Sequence, residues 1–319
     1  MYTKFHEIEL DQPTWAVALL TTVEQKETKS KQPFCVFTLQ DGEKTIQANI
    51  WNTQKENVKL EQGLISVQLY KKIYNGTESW EVKAYDAAPL DAKMEDFIIT
   101  APIPSEQMLQ EILAILTKEI GNTGLCRLAA DFLARNKEKL IYWSAAKMIH
   151  HNCYGGLLYH TYRMLKTGVI LSRVYSFNKE ILYTAIILHD MGKLQELETD
   201  SIGAADYTVD GILFGHTMLA IEWIDQMAAE ATASGLPYDQ EKIRLLKHCI
   251  ASHHGRLEYG AVTMPATKEA MLLHEIDMID SRMYQYEQVE KELKPGEMSE
   301  RIFGLDSRVY KPNFSQTNK

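Results

Sequence analysis

A small β barrel followed by an all-α bundle is the fold class that this 319-residue sequence predicts. Three observations point to it. Short runs rich in β-branched and aromatic residues fill residues 14 to about 90, with Asp-Gly and Asn-Gly pairs between them. A double-proline segment follows, at Pro102 and Pro104. Beyond it the apolar residues change from strand-like alternation to a helical period.

The clearest strand candidates are residues 34–39, 45–51 and 64–70. Asp41-Gly42 and Asn75-Gly76 are strong hairpin signals, because both pairs tolerate the positive φ of tight turns. About five strands are expected, with a short polar helical stretch over 53–60 between the third and the fourth. That order suits a five-stranded barrel of OB type, and an SH3-like barrel is the alternative. Residues 1–95 are therefore read as one domain and 96–106 as a linker, where two prolines remove backbone donors.

From Glu106 onward the expectation is helical. Met108, Leu109, Ile112, Leu113, Ile115 and Leu116 keep a helical period, as do Leu125, Leu128, Ala129, Phe132 and Leu133. Further helices are expected near 157–174, 179–190, 212–233, 239–252 and 266–293. Gly192, Gly211, Gly235 and Gly255 punctuate them. The second domain is placed at 107–305, and the polar residues 306–319 are read as an arm without regular structure.

A chain of this length supports two cores. Its net charge of −9 argues against a protein that simply coats nucleic acid, but not against a local basic groove. The four cysteines (Cys35, Cys126, Cys153, Cys249) are far apart and form no Cys-x-x-Cys, which fits a reduced, cytoplasmic setting. No apolar run approaches a membrane span, and the N-terminus lacks a secretory pattern.

One chemical pattern stands out. His189-Asp190 closes an apolar run, where an uncompensated carboxylate is costly. His160 precedes the pair, and His216, His253-His254 and Asp277 follow, about one contribution per expected helix. Several helices each giving one imidazole or carboxylate is the pattern of a metal site in a bundle core. Mixed nitrogen and oxygen donors suit manganese first, with cobalt, iron, nickel or zinc as alternatives. A core histidine bonded to a backbone carbonyl is the alternative for His160, and a polar residue at a helix start for His216. The sequence does not separate His253 from His254 as the direct ligand. His274 and Asp280 share a helical face with Asp277 and could orient ligands.

Lys193 and the weaker candidate Arg282 are the cations expected to meet a substrate phosphate; Arg163 is weaker again. On the barrel, Trp51, Tyr70, Tyr74, Trp80 and Tyr85 supply rings, and Lys26, Lys29, Lys31, Lys71 and Lys72 supply charge. Lys71-Lys72-Ile73-Tyr74 is the best local candidate for single-stranded nucleic acid, and Trp51 is a further candidate.

The ordered set His160, His189-Asp190, Asp277 resembles the HD phosphohydrolase superfamily. Residues 188–193 (LHDMGK), 252–255 (SHHG) and 273–283 (LHEIDMIDSRM) look like the YhaM-type 3′→5′ exoribonucleases. The resemblance runs from about residue 12 to about 305. It implies an OB domain ahead of an HD domain, two divalent metals and attack from the 3′ end. Asp190, central in the ligand order, is the expected bridge between the metals, Asp190 and Lys193 are the expected catalytic groups, and nucleoside 5′-monophosphates are the expected products. The resemblance also implies single-stranded RNA as substrate; single-stranded DNA and assembly into a homo-oligomer stay open. The first alternative is an HD phosphohydrolase for a small nucleotide, with the barrel as an interaction module. The second is a non-enzymatic RNA-binding protein, against which the intact ligand set argues.

Overall fold

The computed structural model describes residues 2–59, 63–74, 76–143, 153–199 and 205–314. The chain divides between Thr100 and Ala101 into two compact units, within the segment expected to link two domains.

In the first unit, β1 (Pro13–Glu27), β2 (Pro33–Gln40), β3 (Thr45–Trp51), β4 (Gly63–Tyr74) and β5 (Thr77–Ala87) close a barrel in the order β1-β2-β3-β5-β4. All neighbouring pairs are antiparallel except β3–β5. This five-stranded closure is the OB-type barrel, and it leaves no open sheet edge. Alternation decides which side chains enter. Ile46 and Ala48 of β3, Ile65, Val67 and Leu69 of β4, and Trp80 and Val82 of β5 fill the interior around Phe37 and Leu39. The Asp41-Gly42 turn between β2 and β3 is pinned by the Asp41 carboxylate. It accepts the backbone N–H groups of Phe5, Glu43 and Lys44 at 2.6, 3.0 and 2.7 Å. Gly42 has φ 88°, and a Cβ there would overlap the carbonyl of Asp96.

The short helical stretch expected over 53–60 is present among its described residues as one 3-10 turn, Lys55–Asn57. Its last residue, Leu60, lies outside the described residues, as does Asn75 of the second hairpin signal.

The second unit is helical. Its helices are α1 (Ser105–Ile120), α2 (Gly124–Arg135), α3 (Lys137–Leu140), α4 (Gly156–Leu171), α5 (Lys179–Leu188), α6 (Lys193–Glu196), α7 (Val209–Ala233), α8 (Gln240–Ser252) and α9 (Lys268–Glu292). Polar side chains start them where the backbone donors are orphaned. Asn178 caps α5, Thr208 caps α7, Asp239 caps α8 and Thr267 caps α9. α5 is buried on every side, which is why its sequence shows no polar face. It packs against α2, α4, α8 and α9. The segment after α9 is not a free arm as far as Phe314. Val309 is 1% exposed, and Lys311 donates to the carbonyls of Glu290 and Leu293. Residues 315–319 lie outside the described residues. Among the described residues no helix is long and apolar enough to cross a membrane.

Candidate functional site

The central helix α5 ends at Leu188, and the chain beyond it carries His189 and Asp190 into the bundle core. α4 supplies His160, α7 supplies His216 just past its break at Gly215, the C-terminal end of α8 supplies His253 and His254, and α9 supplies Asp277. The seven residues expected as ligands fall into two adjoining groups. His160, His189 and His253 are essentially fully buried, and Asp190 is 4% exposed.

Asp190 divides the cluster in two. Its Oδ2 faces His160 Nε2 at 3.7 Å and His189 Nε2 at 3.4 Å. Its Oδ1 faces His216 Nε2 at 3.5 Å and His253 Nε2 at 4.0 Å. Two groups of three side chains result, His160–His189–Asp190 and His216–His253–His254, each with donor atoms within 4.8 Å of one another. Asp277 joins the first group, with Oδ1 at 3.3 Å from His160 Nε2.

The outward nitrogens explain why these rings fit a metal. His189 Nδ1 donates to the Ile186 carbonyl at 2.9 Å, and His253 Nδ1 donates to the Ile250 carbonyl at 2.6 Å. His216 Nδ1 meets Glu196 Oε1 at 3.1 Å, and His160 Nδ1 meets Asp280 Oδ2 at 2.7 Å. In His189, His253 and His216 the Nδ1 therefore carries the proton and the Nε2 turns a lone pair inward. Burial works against a charged His160, but Asp277 and Asp280 on either side outweigh it and, in the absence of a cation, raise its pKa to about 10. The Nε2 atoms of His216 and His253 point at each other across 3.4 Å, and His189 Nε2 has no hydrogen-bond partner among the described residues. Two facing lone pairs repel unless a cation lies between them. The donor set, with four oriented imidazoles, a central carboxylate and no thiolate, fits divalent metal.

The charge balance agrees. Burial pushes the His253 imidazole well below its ordinary range, and the neighbouring rings of His254, His189 and His216 push the same way. It is thus neutral, the form that ligates. Burial works against the Asp190 carboxylate, but Lys193, His189 and His216 outweigh it and hold its pKa low.

Glu196, Asp280 and Arg163 extend the site outward. Glu196 Oε1 accepts both the backbone N–H and the ring of His216. Arg163 Nε donates to Asp280 Oδ1 at 2.5 Å and its fork grips Glu287 at 2.7 and 3.2 Å, so the carboxylate behind His160 is itself held. Asp280 was read from its helical face; Glu196 was missed. A glutamate one turn past Lys193 on a short helix carries no distinctive sequence signal. His274 Nδ1 lies 2.9 Å from the carbonyl of His253 and steadies the doublet from behind.

Of the three cations expected near a phosphate, Lys193 is in the cluster, Arg163 is engaged by Asp280 and Glu287, and Arg282 is not in the cluster. Lys193 Nζ donates to Asp190 Oδ2 at 2.7 Å, and Trp143 Nε1 donates to the Lys193 carbonyl at 2.9 Å. Arg282 lies on an exposed stretch of α9 and makes no ion pair among the described residues.

On the barrel, the expected residues separate by strand alternation. Trp80 is 5% exposed and Tyr85 packs on Phe37, so both serve the core. Trp51 and Tyr74 are exposed. Trp15, also exposed, lies on β1 and went unread; the alternation Thr14-Trp15-Ala16 already turns it outward. Lys71 pairs with Glu78 at 2.8 Å and lies over the Trp80 ring. Lys72 and Lys83 both reach Glu81 at 2.5 Å, and Trp51 Nε1 donates to the same carboxylate at 3.1 Å. Burial alone would raise the Glu81 pKa; these three donors instead hold it at about 2. The result is an outward face of rings and ammonium groups organised about one carboxylate.

The family model described as HD domain matches residues 157–282. A 3′-5′ exoribonuclease YhaM of Oceanobacillus iheyensis is 33% identical over 295 residues, 91% of this chain and 90% of that protein. The YhaM of Listeria welshimeri is 35% identical over 290 residues, 89% of this chain and 90% of that protein. The YhaM of Bacillus velezensis is 31% identical over 291 residues.

Proposed function

Because the chain belongs to the family of YhaM 3′-5′ exoribonucleases, we propose that it hydrolyses single-stranded RNA from the 3′ end and releases nucleoside 5′-monophosphates. The observation that carries this reading is the division of four histidines between the two oxygens of Asp190, His160 and His189 on one and His216 and His253 on the other. One group, His160 and His189 with Asp277, would hold one divalent cation; the other, His216, His253 and His254, would hold a second; Asp190 would serve both. Bound there, such cations supply Lewis-acid neutralisation of the charge that develops on a phosphodiester. Manganese suits the mixed imidazole and carboxylate set.

The protein's own groups do the rest. Lys193 holds Asp190 in place and brings a positive charge to the phosphate. Asp280 and Glu196 orient His160 and His216 from behind. The barrel, residues 1–95, captures the strand on its outward face: bases stack on Trp51 and Tyr74, and phosphates meet Lys72, Lys71 and the β1–β2 turn with Lys29 and Lys31. Residues 96–106 link it to the hydrolase domain, 107–305.

The test is to incubate the manganese-loaded protein with 5′-labelled single-stranded RNA and, separately, with a panel of free nucleotides. A ladder of progressively shortened labelled products, with mononucleotides released, is the expected result. Internal cuts, or turnover of free nucleotides alone, would overturn the reading.

A further inference from the structure

The two segments that supply the second group of candidate ligands each carry an exposed ring within five residues of one of those ligands. The first is the loop after His253-His254. It turns at Gly255 and Gly260, with φ 78° and 91°, and Arg256 N donates to the His254 carbonyl at 2.9 Å. Gly260 stands so close that a Cβ on it would lie 3.5 Å from His254 Nδ1. On this short loop Tyr259 is 59% exposed, with the Arg256 guanidinium 5.9 Å from its ring centroid. The other partner of Arg256 is the exposed Glu258 carboxylate at 3.5 Å, a pair that water or a phosphate replaces at little cost.

The second segment is the start of α7. Gly215 interrupts that helix with φ 68° and ψ 157°, a conformation open to glycine. The break lets His216 turn inward while Phe214, two residues earlier, stays 57% exposed. The rings of His216 and His254 are 5.2 Å apart. Both exposed aromatics are thus attached, within a few residues, to side chains of one ligand group.

We propose that Tyr259 with Arg256, and Phe214, form the subsite for the 3′-terminal nucleotide of the RNA. The rings offer π-faces on which any base stacks, which suits an enzyme that must accept all four. The guanidinium offers a forked donor to the phosphate between the last two nucleotides. The proposal rests on the exoribonuclease reading and names the residues that present the chain end to it.

The experiment uses the full-length, manganese-loaded protein and its variants Tyr259→Ala, Tyr259→Leu, Tyr259→Phe, Phe214→Ala and Arg256→Ala. Each is measured on a single-stranded oligoribonucleotide and on bis-p-nitrophenyl phosphate, which has no base to stack. Loss of a stacked base predicts a roughly tenfold rise in KM for RNA in Tyr259→Ala and Phe214→Ala. The ratio of kcat/KM on RNA to kcat/KM on the small ester should fall by a similar factor. Tyr259→Leu keeps apolar bulk without a ring and should resemble Tyr259→Ala; Tyr259→Phe should restore most of the wild-type KM. Arg256→Ala should raise KM most at low salt, where a phosphate contact counts for most. An unchanged KM for RNA in Tyr259→Ala, Tyr259→Leu and Phe214→Ala overturns the subsite. So does an equal loss on both substrates in the Tyr259 and Phe214 variants, or a failure of Tyr259→Phe to recover, since either marks a structural role. A wild-type protein that cleaves the small ester and leaves RNA intact sinks the exoribonuclease reading itself and the subsite with it.

Discussion

Asp190 holds the centre together because its two oxygens face different pairs of histidines. Asp190→Ala should therefore abolish hydrolysis and lower bound metal to less than two ions per chain, while the melting temperature changes little. Activity within tenfold of wild type with full metal content would contradict the assignment. Glu196 acts one step further out, fixing the proton on His216 Nδ1. Glu196→Ala should weaken metal binding by about 10–100-fold, the usual effect of removing a partner that orients a ligand; a metal titration followed by calorimetry reads it directly. On the barrel, the Glu81 pKa is held at about 2, below its ordinary 4.5, so its ion-pair network stabilises the fold above the ordinary glutamate range. That stability is lost as pH falls from about 4.5 towards about 2. Glu81→Gln should accordingly melt lower than wild type at neutral pH, and the gap should close across that window. A gap that stays constant down to pH 2 would mean the network does not depend on the charge.

The helices themselves were legible because their apolar residues recur at helical spacing and capping side chains stand at their starts. The short pieces were not. α3 and α6 span four residues each, too few for a period to show. The helix expected to start at residue 212 begins at Val209, with Thr208 as its cap, and is broken at Gly215, so its two halves have different apolar faces. α6 matters because it is where the His189-Asp190 turn meets α7. A Cβ on Gly192 would overlap the backbone carbonyl of His216, and neither backbone can give way without displacing a ligand. Gly192→Ala should cost ~1–3 kcal/mol through overpacking. It should also reduce metal content, whereas an ordinary core substitution of equal cost would not. Thermal melting and metal analysis on the same sample separate the two effects.

Each of the two units has its own hydrophobic core, one inside the barrel and one around α5. Separate cores predict separable functions. A chain lacking residues 1–95 should still fold as a helical domain and hydrolyse bis-p-nitrophenyl phosphate. It should lose most of its affinity for long single-stranded RNA, measured by fluorescence anisotropy in calcium in place of manganese. Undiminished binding by the truncated chain would remove the barrel from the capture role. The four cysteines are buried and free, which fits four thiols that stand far apart and form no Cys-x-x-Cys.

By itself the sequence determined the architecture and the identity of the candidate ligands. Strand alternation, helical period and the Pro102–Pro104 interruption are local patterns, and imidazoles or carboxylates at the ends of apolar runs betray themselves by the cost of burying them. The tertiary structure decided which oxygen of Asp190 faces which histidine, and which partners hold the rings. His160 meets Asp280 across 120 residues and His216 meets Glu196 across 20, and no local period links residues that far apart. It also decided that Lys72 is already paired, because Glu81 lies within its reach only through the β4–β5 register. Composition and spacing are properties of a chain segment; orientation and pairing belong to the packed whole, where the cost of an unsatisfied buried group selects one arrangement.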